Sequence, residues 1–191
     1  MITGELKSKI DAIWTTFWTG GVTNTITIVE QLTYLIFIKD LDETEVRNEL
    51  KARHGFKYTP IFSPEQQKFR WKNLKEMDVT ARHEIFTNTV DGIFPFIRSL
   101  GKETSLFATH MKGATFGISK ASVLDQVMEK LENIDMSNQD TKGDIVAFPK
   151  NRTVLNSNLL ILNFNCHNEE KQFYREPNFK GFKGKSARNF C

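Results

Sequence analysis

Apolar residues recur with the spacing of an α-helix in four stretches of the chain, and this repeat limits the possible folds more than any other feature of the sequence. The first stretch covers about residues 4–18 and ends at a Gly-Gly pair. The second, about 25–39, is apolar on all sides and predicts a buried central helix, although its β-branched start would also fit a strand. The third covers about 81–100, with a kink or restart expected at Pro95. The last begins near residue 119. The stripes consist of Leu6, Ile10, Ile13, Trp14 and Phe17 in the first stretch and Val123, Val127, Leu131 and Ile134 in the last.

The segments between these stretches are charged or rich in turn residues. Residues 40–53 predict an exposed helix or a continuation of the second helix. Residues 55–70 contain two prolines and predict a loop, followed after Trp71 by a second short loop. The aromatic and apolar residues expected to pin the first loop to the core are Phe56, Tyr58, Ile61 and Phe62. The predicted fold class is mostly α: a compact helical domain of about four to six helices with an irregular C-terminal tail.

Composition excludes several classes of protein. The chain has 191 residues, of which 39% are hydrophobic and 26% charged, as in globular proteins. No apolar run reaches the roughly 18–20 residues that span a bilayer. Two cysteines cannot form a disulfide framework, and the first residues lack the pattern of a signal peptide. We therefore expect a soluble, cytoplasmic protein with no membrane partner.

Short motifs occur along the chain in a recognisable order. They are Gly4-Glu5-Leu6, Ile13-Trp14, Phe17-Trp18, Gly20-Gly21, Glu30 to Lys39, Leu41-Asp42-Glu43, Arg70-Trp71, Phe94-Pro95-Phe96 and Asp140-Thr141-Lys142-Gly143-Asp144. In this order and spacing they resemble the N-terminal helical domain of the modification subunit (HsdM) of type I restriction-modification systems. The resemblance covers about residues 1–145.

This resemblance implies a function for the intact subunit. The family's full subunit is an adenine-N6 DNA methyltransferase that uses S-adenosylmethionine. Two copies assemble with one specificity subunit (HsdS) around duplex DNA, and a restriction subunit joins the system. The N-terminal helical domain contributes to that assembly and to closing the clamp on DNA.

The catalytic motifs of such an enzyme are missing from the sequence. There is no G-x-G for a cofactor-binding turn, and all five prolines are isolated, so there is no N-P-P-F-like loop to hold a flipped adenine. No catalytic, cofactor-binding or metal-binding residue can be carried over from the family. We expect this chain to hold no cofactor and to be inactive alone, as if it were cut off before the catalytic domain.

The sequence departs from the family after Ile145. Residues 146–191 are rich in Asn, Phe and Lys, and residues 151–191 hold seven basic and three acidic residues. The predicted division is a helical domain over 1–145 and a non-family tail over 146–191 with little order. A frameshift and an evolved replacement tail or linker both fit this change.

Five residues are candidates for contact with DNA or a partner subunit. They are Trp14, Trp18, His110, Lys112 and Lys120. The tryptophans are candidate interface anchors, with core packing as the alternative. The other three could touch phosphate in the assembled clamp or could be solvated surface. Asp140 with Asp144, and Cys166 with His167, form no catalytic or metal-binding pattern.

Two other functions remain open. A stand-alone interaction module would bind the specificity or methyltransferase subunit without joining catalysis. A nonspecific nucleic-acid binder would use the aromatic and basic residues of 179–185, with strong dependence on salt.

Overall fold

The computed structural model describes residues 4–100 and 113–135, and within them the chain is built from helices without any strand. The α-helices are α1 (Gly4–Thr19), α2 (Thr25–Arg53), α3 (Trp71–Glu76), α4 (Val79–Thr87), α5 (Ile93–Leu100) and α6 (Ala121–Glu132), and a 3-10 helix spans Pro64–Phe69. The prediction of a mostly α fold is confirmed.

The first and last described helices form one packed pair. α1 lies against α6, and the stripe residues of both helices are buried apart from Leu6, which is half-buried at the edge of the core. The two helices approach closely because Gly20, directly after α1, leaves room for Val123: a Cβ on Gly20 would collide with the Val123 side chain. The helical spacing therefore predicted both the elements and their inward faces.

α2 is a single helix of 29 residues that continues through the charged segment. Its start is fixed by Asn24, whose side chain accepts hydrogen bonds from the backbone N–H of Ile26 (2.8 Å) and Thr27 (3.3 Å). This cap resolves the choice between helix and strand. The first half packs into the core as predicted, with Ile28, Leu32 and neighbouring apolar residues buried.

The segment after α2 is more structured than the sequence predicted. Phe62 is buried, but Phe56 is 67% exposed, so the prediction that it pins the loop to the core is wrong. The loop contains the 3-10 helix, which Ser63 and Gln66 begin with a capping box. The prediction of a second short loop after Trp71 is wrong as well, because the chain there forms the six-residue helix α3.

The predicted helix over 81–100 is two helices with a break at residues 88–92. The Asn88 side chain accepts hydrogen bonds from the N–H of Val90 and Asp91, both at 2.9 Å, which turns the chain. Pro95 does not cause the break. It is the third residue of α5, where a missing N–H costs no hydrogen bond within the helix.

Some predictions concern residues outside the described ranges. These include the irregular tail, the domain boundary at residue 145, and the Asp140–Asp144 and Cys166–His167 pairs. Across 4–100 and 113–135, no helix combines the length and apolar character needed to cross a membrane.

Candidate functional site

Two of the motifs that carry the resemblance meet in a buried ion pair. Arg70 is 2% exposed, and its Nε donates to Asp42 Oδ1 at 2.6 Å. Its Nη1 donates to Glu49 Oε1, also at 2.6 Å. This hydrogen bond from Arg70 is the main cause that lowers the pKa of Glu49. The second half of α2 is thereby bound to the start of α3.

Charged side chains from neighbouring helices cap both ends of α3. Asp42 Oδ2 accepts from the backbone N–H of Lys72 (3.0 Å) in the first turn of α3. At the other end, Arg82 of α4 donates to the carbonyl oxygens of Leu74 (2.6 Å), Lys75 (3.1 Å) and Met77 (3.0 Å). A carboxylate at the N-terminus and a guanidinium at the C-terminus also match the helix dipole. Six residues are too few to form a stable helix alone, so neighbouring helices hold α3 in place.

A second charged cluster joins α3 to the end of α6. Trp71 Nε1 donates to Glu132 Oε2 at 2.7 Å, and Lys75 pairs with Glu132 Oε1 at 3.2 Å. The buried Lys39 donates to the Leu131 carbonyl at 3.2 Å. Burial works against the charged form of Glu132, but the Trp71 hydrogen bond and the charges of Lys39 and Lys75 outweigh it and lower its pKa.

Between these clusters lies an open groove of about 600 Å³, which we call the charged groove. Its lining residues come from α2, α3 and the end of α6: Lys39, Asp42, Glu43, Val46, Arg47, Trp71, Lys72, Lys75, Glu76 and Glu132. It does not fit S-adenosylmethionine, because no glycine-rich turn lines it and several of its charged groups are engaged in ion pairs.

Buried polar groups in the described residues are all paired. No buried side-chain nitrogen or oxygen among them lacks a hydrogen-bond partner, and no group of histidines, cysteines and carboxylates in that part of the chain could hold a metal ion. The buried charges maintain the fold.

Three of the five predicted contact residues lie in the described part of the chain. Trp14 has no exposed surface, whereas Trp18, one turn later, is 41% exposed with its ring 5.9 Å from that of Trp14. Lys120 is exposed at the start of α6. His110 and Lys112 lie outside the described residues. The role of these five residues in DNA or partner contact stays a prediction.

A surface that the sequence reading did not single out lies at the C-terminal end of α2. We call it the α2-end surface. It consists of the exposed residues Val46, Arg47, Leu50, Lys51, Arg53, Phe56 and Lys57. The apolar spacing of Val46 and Leu50 was visible in the sequence. Their exposure became visible only in the structure, where this half of α2 has an inverted pattern: Asp42, Glu45 and Asn48 are buried while Val46 and Leu50 are exposed.

The comparison with known protein families matches this helical body to one family. The family described as "HsdM N-terminal domain" matches residues 6–131, which run from α1 to the last turn of α6. A search of the curated proteins and a search of the solved structures each found no match. The family match covers about two thirds of the chain. The chain therefore belongs to the HsdM N-terminal domain family and contains the N-terminal module of a type I restriction-modification methyltransferase subunit.

Proposed function

We propose that this chain is an assembly and DNA-clamp module of a type I restriction-modification system. It would dock onto a specificity subunit and a second methyltransferase subunit, in a complex that a restriction subunit also joins, and would help to close that complex around duplex DNA in the cytoplasm. S-adenosylmethionine would be bound by the catalytic domain of the intact subunit and not by these helices.

One observation carries the proposal: the buried charged groups are engaged in contacts within the fold. Arg70, Arg82 and Lys39 each bond to helix ends or carboxylates of neighbouring helices. Catalytic sites usually keep titratable groups available to the substrate. A domain whose buried charges stabilise its helices, and which belongs to this family, is better suited to binding other subunits than to chemistry.

Co-purification with defined subunits tests this proposal. The 191-residue chain would be expressed with the type I specificity subunit of the same cell, with and without a full-length methyltransferase subunit. We expect a stable complex by size-exclusion chromatography and light scattering. A monodisperse, folded chain that elutes alone in both mixtures would contradict the assembly role.

The same preparation separates the two alternatives. A stand-alone interaction module would bind one subunit but would be excluded once full-length methyltransferase is added. A nonspecific nucleic-acid binder would bind duplex DNA without either subunit, and this binding would weaken steeply with salt and disappear when residues 151–191 are deleted.

A further inference from the structure

The α2-end surface combines exposed apolar side chains with charges of one sign. Val46 is 39% exposed, Leu50 is 49% exposed and Phe56 is 67% exposed. The exposed charged residues between positions 46 and 57 are all basic: Arg47, Lys51, Arg53 and Lys57. The acidic residue in that range, Glu49, is bonded to Arg70.

The backbone at this end of α2 directs Phe56 toward the last helical turns. The Phe56 N–H donates to the Lys51 carbonyl (3.2 Å) and the Gly55 N–H to the Ala52 carbonyl (2.9 Å), with Gly55 at φ +88°. This is a Schellman motif, in which the residue after the glycine usually packs on the third or fourth residue from the helix end. Here that fourth residue is Leu50.

The end of α1 uses the same motif with a different outcome. The Val22 N–H donates to the Phe17 carbonyl (2.9 Å), and Gly21 has φ +97°. There, Phe17 is fully buried and Val22 packs against the core. In α2 the position that corresponds to Phe17 is Lys51, while Phe56, which corresponds to Val22, and the neighbouring Leu50 are left at the surface. The motif itself therefore does not require exposed apolar residues, and the exposure is particular to the α2-end surface.

We propose that the α2-end surface binds an acidic amphipathic helix of a partner subunit, with apolar side chains one turn apart that cover Leu50 and Phe56 and carboxylates that pair with the basic rim. This proposal rests on the proposed function, since it assigns the face through which the module meets another subunit. Exposed apolar residues bordered by charges are typical of helix-in-groove recognition.

The balance of charge favours a protein partner over duplex DNA. Residues 39–57 contain five basic and five acidic residues. Asp42, Glu45 and Glu49 lie on the same helix as Arg47, Lys51 and Arg53 of the basic rim. A phosphate-binding surface needs a basic surplus. A surface that binds through apolar contacts and short-range charge pairs does not need such a surplus. An acidic helix therefore fits this surface better than duplex DNA does.

Variants in the reconstituted complex test the apolar part. The double variant Leu50→Ser/Phe56→Ser should weaken binding of the chain to the specificity or methyltransferase subunit by about tenfold or more, measured by interferometry. Val90→Ser is the matched control, because Val90 is 75% exposed and belongs to the α4–α5 turn rather than to this surface, and it should leave affinity unchanged. Circular dichroism checks that each variant is folded.

A photo-crosslinker identifies the occupant. Benzoylphenylalanine replaces Leu50 in one sample and Val90 in another, the complex is irradiated with DNA present, and the crosslinked peptides are sequenced. We expect position 50 alone to crosslink to an acidic, helical segment of a partner subunit. Crosslinks to DNA, to a basic segment, or to residues 136–191 of this chain would overturn the proposal.

The two proposals can fail separately. If wild-type chain forms no complex with either subunit, the assembly function is wrong. If the complex forms and Leu50→Ser/Phe56→Ser binds as tightly as wild type, the domain assembles through another face and only the assignment of the α2-end surface is overturned.

Discussion

At the scale of single residues, Asp42 serves two purposes at once. One carboxylate oxygen pairs with Arg70 and the other caps α3 through the Lys72 N–H. Both Asp42 and Arg70 are almost completely buried. Removing one partner of a buried ion pair leaves the other charge without full compensation, which is more costly than losing a surface pair.

Asp42→Ala should therefore destabilise the protein by about 3 kcal/mol, measured by urea unfolding followed by circular dichroism. Asp42→Asn, which retains the size and one acceptor oxygen, should lose less. The matched control is Lys7→Ala, which removes an exposed pair with Asp11 and should cost less than about 1 kcal/mol. Equal losses in Asp42→Ala and Lys7→Ala would contradict the structural role of Asp42.

The lowered pKa values of Glu49 and Glu132 predict sensitivity to acid. In the folded chain the charged form of both carboxylates is favoured, so their pKa values lie below the ordinary value of 4.5. Their contribution is fully present above that value and is lost as pH falls through the lower folded pKa values. The unfolding free energy should therefore decrease as pH drops below about 4.5.

Glu49→Gln isolates part of this effect. The variant should be less stable than wild type at neutral pH, and its stability should fall less between pH 4.5 and the acid end of the titration. Glu84→Gln, at an exposed position of α4, is the control for a general change of charge. If Glu49→Gln and Glu84→Gln give the same stability curve against pH, the Arg70–Glu49 pair does not stabilise the fold.

At the scale of elements, the sequence predicted helices whose apolar residues form a clear repeat and missed those without one. α1 and α6 each bury a regular stripe. α3 has six residues and only two buried positions, Trp71 and Leu74, and its capping side chains come from Asp42 and Arg82, so no local pattern could reveal it. The kink or restart was expected at Pro95, whereas the α4–α5 break lies at Asn88, whose side chain makes the turn.

The candidate site was predictable only in part, for the same reason. The motifs containing Asp42 and Arg70 were visible in the sequence, but their contact spans 28 residues and required the fold. The apolar residues Val46 and Leu50 were visible too, as sparse positions in a charged segment. Their exposure depends on which side of α2 meets α3 and the 3-10 helix, and composition carries no information about that.

The junction of α1 and α6 supports a prediction at this scale. Gly20→Ala should destabilise the protein by about 1–3 kcal/mol, because the added methyl group would collide with Val123 and lie 2.9 Å from the Thr16 carbonyl. Gly4→Ala, where a Cβ meets nothing within 4 Å, is the control and should be close to neutral. Thermal unfolding measures both variants.

Adding Val123→Ala to Gly20→Ala tests whether the collision with Val123 causes the loss of stability in Gly20→Ala. If the collision with the Val123 side chain is responsible, the double variant should lose less stability than the sum of the two single losses. Strict additivity would show that the two residues do not interact across the junction.

At the scale of the whole molecule, the buried apolar residues of the described helices form one core. We expect the purified chain to transfer no methyl group from radiolabelled S-adenosylmethionine to duplex DNA, alone or with the specificity subunit. Adding a full-length methyltransferase subunit should restore transfer and serves as the positive control. Methylation by the chain without that subunit would contradict the proposal that it acts as an assembly module.

The capping of α3 by its neighbours also has a consequence for the order of folding. Its N-terminal cap comes from α2 and its C-terminal cap from α4, so both caps are in place only when both helices lie against α3. α3 would then be a late-forming segment whose helicity depends on the tertiary contacts around it. Any event that separates α2 from α4 would unwind α3 first, and the lining of the charged groove would be lost with it.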